Sequence, residues 1–132
     1  MVDAPFSIEI DPARRFVDVA VHGLWGPETV ALFAAELRRK LRVLHAHGCP
    51  PGEHLVLVDI TAFIVQVQDV ATLLAGVGAD PLFAARRAAL AVAAPLVRLQ
   101  ARRVLPHYAV CGDRAEALRW LFTPADSRAH SA

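Results

Sequence analysis

The residues able to do chemistry are few, and the densest group is HAHGCPPGEH, which places His45, His47, Cys49 and His54 within ten positions. All four are of types that ligate zinc or copper. Their spacing matches neither a zinc finger nor the His-Glu-x-x-His helix, and Pro50 and Pro51 stiffen the segment between them. It reads as a solvated loop from helix to strand with no metal assigned, and a zinc titration would decide the point. Cys111 follows His107 and Tyr108 and precedes a helix start that would lower a thiol pKa. A Cys–His nucleophile at i and i+4 on a strand would have to bridge about 13 Å, so Cys111 is expected to be a small buried apolar residue.

Asp59 closes the run HLVLVDI. Open α/β sheets bind ligands outside the carboxyl ends of their strands, which draws attention to this acid. No base or metal partner accompanies it, and the competing role is structural, accepting backbone N–H bonds in the turn to Phe63. The basic pairs Arg86-Arg87 and Arg102-Arg103, with Arg98 and the run from Arg38 to Arg42, lack a glycine-rich phosphate loop and any aromatic interleaving. They read as charged helix surfaces, and no nucleic-acid partner is expected. Trp120 shares a stripe with Ala117 and Leu121 and is expected in the core. Trp25, in His22-Gly23-Leu24-Trp25-Gly26, is assigned to an exposed edge or a homodimer contact. No catalytic residue, cofactor site or metal ligand is assigned.

The elements that must position these residues follow from periodicity. FSIEI and FVDVAVH alternate with period two across Asp11-Pro12, which predicts an antiparallel hairpin. Gly26-Pro27 opens a long helix whose stripe is Val30, Phe33, Ala34, Leu37, Leu41 and Leu44, with Gly48 as its stop. His54 to Ile60 is a continuous apolar run suited to a strand buried on both faces. Asp69 is the expected cap of a second helix through Leu74, ended by Gly76. Asp80-Pro81 starts a short helical turn to Ala85. RAALAVA is a fourth strand for which its alanines make helix a competitor. Pro95 starts a third helix, PLVRLQARRVL, HYAVC is a fifth strand, and Asp113 with Glu116 begins the final helix RAEALRWLF with a capping-box pattern. The order β-β-α-β-α-β-α-β-α predicts a five-stranded mixed sheet covered by about four helices.

The chain has 132 residues, of which 55% are hydrophobic, with 14 Lys and Arg against 13 Asp and Glu. That length fits one α/β domain over 1–132, with an ordered core at about 6–122 and a polar tail. The near balance of charge excludes a strongly basic nucleic-acid binder. The longest stretch without a polar residue, Ala88 to Val97, has ten residues, half of the roughly 20 a membrane span requires. With no secretory leader at Met1 to Phe6 and two separated cysteines, the expected compartment is the cytoplasm.

LVLVDITAF, RRAALAVAA and the ending CGDRAEALRWLF, with Ala117, Leu118, Trp120 and Leu121 in its helix, resemble the SpoIIAA-like family of STAS and SEC14-type α/β domains. The resemblance runs over residues 6 to 122. STAS anti-sigma-factor antagonists of this kind carry a phosphorylatable Ser or Thr in an Asp-Ser-Ser-Gly type of turn beyond the third strand. Here the corresponding segment is Asp59 to Gln66, without a Ser-Gly or Thr-Gly pair, and Thr61 and Thr72 are the only nearby hydroxyls. The resemblance therefore implies a non-enzymatic regulatory or protein-interaction module lacking the phosphate switch. Its surface would include Asp59, Thr61, Phe63, Ile64, Val67 and Trp25. The alternative is a SEC14-like binder of a small apolar ligand or lipid, with Ile64, Val65, Val67, Val70 and Leu74 lining a groove. An enzyme ranks behind both.

Overall fold

The computed structural model describes residues 4–123. Strands β1 (Phe6–Asp11) and β2 (Phe16–Gly23) form the antiparallel hairpin. Strands β3 (Leu55–Phe63), β4 (Arg87–Ala91) and β5 (Ala109–Cys111) then add in parallel, giving five strands in the order β1-β2-β3-β4-β5. The helices are α1 (Pro27–Ala46), α2 (Gln68–Ala79), α3 (Pro95–Val104) and α4 (Arg114–Phe122), with a 3-10 turn at Pro81–Phe83.

This strand order dictates where the helices go. Each parallel strand is laid beside the last in one direction, and right-handed crossovers then put α1, α2 and α3 on the same face. Period-two alternation sorts the core accordingly. Val17, Val19, Val56 and Leu90 face the three crossover helices, while Phe16, Leu57, Ala89 and Ala91 face α4. The alanines of β4 are thus explained by packing, since Ala89, Ala91 and the α4 residue Ala117 are all fully buried against one another's layer. Small side chains let α4 approach closely, and the helical competitor for this segment is set aside.

Local signals behave as their chemistry requires at both ends of α1 and at the start of α4. Pro27 occupies the first turn of α1, and Gly48 takes φ +95° just past its end. The Asp113 side chain accepts from Glu116 N at 2.8 Å, and Glu116 Oε2 reaches back to Gly112 N at 2.8 Å.

Several boundaries differ from the sequence-based expectation, among them the start of β5, at Ala109 rather than His107. Helix α2 does not stop at Gly76 but runs to Ala79, and its N-cap is Val67 with no side-chain cap from Asp69. Val77 packs against the core, and that tertiary contact outweighs the roughly 1 kcal/mol intrinsic cost of a helical glycine. The helix ends at Asp80, whose backbone is kept extended by Pro81 and whose Oδ1 accepts from Leu82 N at 2.9 Å. Gly78 faces Leu105 beyond α3, whose side-chain tip would have to shift to admit a Cβ. Strand β4 ends two residues earlier than expected, at Ala91. Strand β3 continues three residues past Ile60, to Phe63.

Candidate functional site: the exit of β3 and the α2–α3 groove

Because β3 is longer than expected, Asp59 lies within the strand rather than at its end. Its Cα partners are Ala20 on β2 and Ala91 on β4. Immediately after it the register slips. Ala20 pairs with Asp59 but His22 pairs with Ala62, so β3 holds one extra residue between them, a bulge at Ile60–Thr61. The Asp59 carboxylate holds this bulge, since Oδ1 accepts from Thr61 N at 3.0 Å and from Thr61 Oγ1 at 2.6 Å. Oδ2 lies 3.8 Å from Arg114 Nη1, and the same guanidinium forks onto Asp18, with Nη1 to Oδ1 at 2.9 Å. Asp18 and Asp59 thus tether the first turn of α4 to the sheet. Asp59 takes the structural role, and Thr61 sits in a strand bulge rather than at a helix start.

The bulge reverses the alternation beyond it and turns Phe63 toward α1. The Phe63 ring meets Trp25 at 5.3 Å, and Phe6 and Phe33 meet Trp25 at 5.8 and 5.2 Å, all edge-to-face. Trp25 is only 4% exposed, and its Nε1–H donates to His22 O at 3.0 Å. The expectation of an exposed edge or dimer contact at Trp25 is therefore corrected. Its neighbours come from β1, α1 and β3, and no local pattern announces their convergence.

Gln66, which the sequence reading passed over, is buried at 4% exposure and organises the loop. Its Oε1 accepts from Trp25 N at 2.8 Å, and its Nε2 donates to Gly23 O at 2.8 Å and Ile64 O at 2.7 Å. Its backbone is clamped to α3, with Gln66 N donating to Gln100 Oε1 at 2.7 Å and Gln100 Nε2 donating to Gln66 O at 2.8 Å. A single polar side chain inside Ile64 to Val67 was the available signal. With Gln66 turned inward, its neighbours Ile64, Val65 and Val67 are left 50%, 44% and 55% exposed. Val65 also lines a groove of about 480 Å³ between α2 and α3, with Ala71, Ala75, Leu96, Leu99 and Val104. Leu96 and Leu99 stand out from α3 at 68% and 54% exposure, three positions apart on one helix face.

The six surface residues proposed from sequence thus fall into three groups. Asp59 and Thr61 hydrogen-bond to each other, buried Trp25 and half-buried Phe63 meet edge to face, and Ile64 and Val67 stand in solvent beside the groove. Val70, expected to line a groove, is buried, and Leu74 is partly buried against the same core.

The histidine-rich segment divides as well. The rings of His45 and His54 lie 6.2 Å apart, but Cys49 is buried at 1% exposure and its Sγ–H points to Pro50 O. His47 is exposed, with Nδ1 at 2.7 Å from Val43 O. Among the described residues, no three His, Cys, Asp or Glu side chains gather closely enough to hold a metal. Burial raises the Cys49 thiol pKa, the opposite of what a nucleophile needs. Cys111 is also buried, as expected of a small apolar residue. Trp120 is half-buried, while its stripe-mates Ala117 and Leu121 are fully buried.

A hairpin-led mixed sheet, three crossover helices on one face and one closing helix on the other define a SpoIIAA-like α/β fold. No family model and no curated protein matches the chain. Among solved structures it is similar to an uncharacterized protein of the DUF3478 family from Shewanella loihica PV-4 that has a SpoIIAA-like fold. The TM-score is 0.67 at 19% identity, covering 92% of this chain and 98% of that one. At this identity the likeness shows the fold. No helix among the described residues is long and apolar enough to cross a membrane.

Proposed function

We propose that this protein is a non-enzymatic, STAS-like protein-interaction module, working without a phosphate switch, whose docking surface is the Ile64–Val67 loop with the α2–α3 groove. The observation that carries the reading is the rigid presentation of apolar side chains. Gln66 and Gln100 together spend five hydrogen bonds on this loop, yet Ile64, Val65 and Val67 remain about half exposed. Fully burying such side chains contributes about 1.5–3 kcal/mol each. Folding leaves much of that unrealised here, and a partner could recover it without ordering the loop.

The occupant that fits is an amphipathic helix with an acidic flank. The groove walls offer apolar knobs at Leu96, Leu99 and Val65, and α3 carries the exposed Arg102 and Arg103 with no acid among its ten residues. The test replaces Leu99 with a photoreactive residue, crosslinks in the protein's own cells and sequences the captured segment. An apolar, acid-flanked helical segment supports the reading. Capture no different from that at a control position such as Glu53, or crosslinks only to a second copy of this chain, refutes it. The alternative, a lipid or apolar-ligand binder, calls for an apolar chamber of several hundred Å³, and the cleft of about 680 Å³ at the far end of the α2–α3 seam is instead lined by Arg86, Arg87, Arg103 and His107. The apolar cavity that Phe33, Leu41 and Val56 line beneath α1 holds about 70 Å³, and native mass spectrometry is expected to show no lipid adduct.

A further inference from the structure

A second, roomier cavity lies at the opposite end of the α2–α3 seam, at the amino ends of β4 and β5. It holds about 680 Å³ and is bounded by the 3-10 turn, the start of β4, the α3–β5 connection and Trp120 of α4. That volume is in the range of small-molecule sites. It exists because the side chains around it are small, with Ala75, Ala79, Ala84, Ala85 and Ala88 where larger residues would fill the space. Three rings, those of Phe83, Tyr108 and Trp120, form its larger walls.

Its charge is one-sided. Arg86, Arg87, Arg103 and His107 line it against a single acid, Asp80, whose Oδ2 already faces Arg38 Nη2 at 3.5 Å. Arg87 is used structurally, donating from Nη1 to Leu121 O at 3.2 Å and Thr123 O at 2.5 Å. Arg103 lies in the last turn of α3, where a cation also answers the helix dipole. Arg86 has neither excuse. It belongs to no helix or strand, only its backbone N–H is engaged, donating to His54 O at 2.8 Å, and its guanidinium meets no carboxylate or carbonyl among the described residues. His107 is likewise exposed and unpaired among them.

We propose that this cleft binds a small planar organic anion, an aromatic or heteroaromatic ring bearing a phosphate or carboxylate. Arg86, Arg103 and His107 take the anionic group, and Tyr108, Trp120 and Phe83 contact the ring. Arginine suits this task because its fork matches both anions and its plane stacks on rings. Burial lifts the Tyr108 phenol to about 12, so it stays a neutral hydroxyl at physiological pH. The carboxyl ends of the strands, where sequence reasoning looked first, are taken up by the bulge and the aromatic cluster.

The experiment follows 8-anilinonaphthalene-1-sulfonate, an aromatic sulfonate, by its fluorescence on the purified chain. Competition by AMP tests a ring phosphate, competition by benzoate tests a ring carboxylate, and inorganic phosphate tests the bare anion. The expected result is saturable one-to-one binding displaced by AMP or benzoate more readily than by inorganic phosphate. Arg86→Gln and His107→Asn should each weaken it about tenfold, in line with loss of one charge-assisted hydrogen bond. Ile64→Asp, in the docking loop and outside the cleft lining, should leave it unchanged, which separates this site from the docking surface. Binding that neither competitor displaces by about 10 mM, or that Arg86→Gln leaves intact in a protein with native circular dichroism, overturns the proposal. Preferential displacement by inorganic phosphate also overturns it.

Discussion

Replacing His54 should change how the protein responds to acid. His54 is 1% exposed, and its Nδ1 is buried without a hydrogen-bond partner among the described residues. Burial, and secondarily the charge of His45, pushes its pKa from 6.5 down to about 4. The unfolded chain therefore takes up a proton near pH 6.5 that the folded chain refuses until about pH 4, and stability must fall as pH drops through that interval. It is fully present above 6.5. A fall of about 2.5 pK units at 1.36 kcal/mol each gives a ceiling of about 3 kcal/mol, reduced by whatever water reaches the ring. Urea unfolding at half-unit steps from pH 7 to pH 4 measures it, with His54→Leu as comparison because the site is otherwise lined by Val17, Leu41 and Val56. The wild type should lose about 2–3 kcal/mol across the window and the variant less than about 1. Parallel stability curves for the two proteins would show that His54 is not held neutral by the core, and the argument would fail.

Gln66→Leu should cost about 3 kcal/mol in urea unfolding, because three buried or half-buried backbone groups at Gly23, Ile64 and Trp25 lose their partner. Amide exchange at positions 64–67 should quicken in the same variant. Gly76→Ala should raise stability by about 0.5–1 kcal/mol, since its Cβ meets nothing within 4 Å. Gly78→Ala should not, because Leu105 must first move, and thermal melts of the pair test the contrast. Iodoacetamide at neutral pH should label buried Cys49 and Cys111 slowly on native protein and fully after unfolding, as read by intact mass.

Much of this architecture was legible because its causes are local. The alternation of Val17, Val19 and Val21, the stripe from Val30 to Leu44, Pro27 and Gly48 at the ends of α1, and Asp113 with Glu116 at α4 each act within a few residues. The failures share a different cause. The extra residue in β3 is a property of pairing with β2, so HLVLVDI alone could not place Asp59 within the strand. Gly76 carries a stop signal that only the packing of Val77 overrides. Trp25 lies in a glycine-flanked turn, and the three phenylalanines that enclose it are remote in sequence. The surface assigned to Asp59, Thr61, Phe63, Ile64, Val67 and Trp25 drew on the apolar content of one strand exit, which does not reveal that Gln66 turns inward and leaves Ile64, Val65 and Val67 in water.

Gln66, through its side-chain amide and its backbone together, also works as a rivet between distant parts of the chain. It joins the end of β2, the backbone of Trp25 and, through Gln100, the middle of α3. Pulling on Val65 or Val67 therefore strains the peptide that carries the indole, although the indole lies out of reach of any visitor. The protein has in effect an optical gauge wired to its rim, and tryptophan emission should change when that rim is loaded.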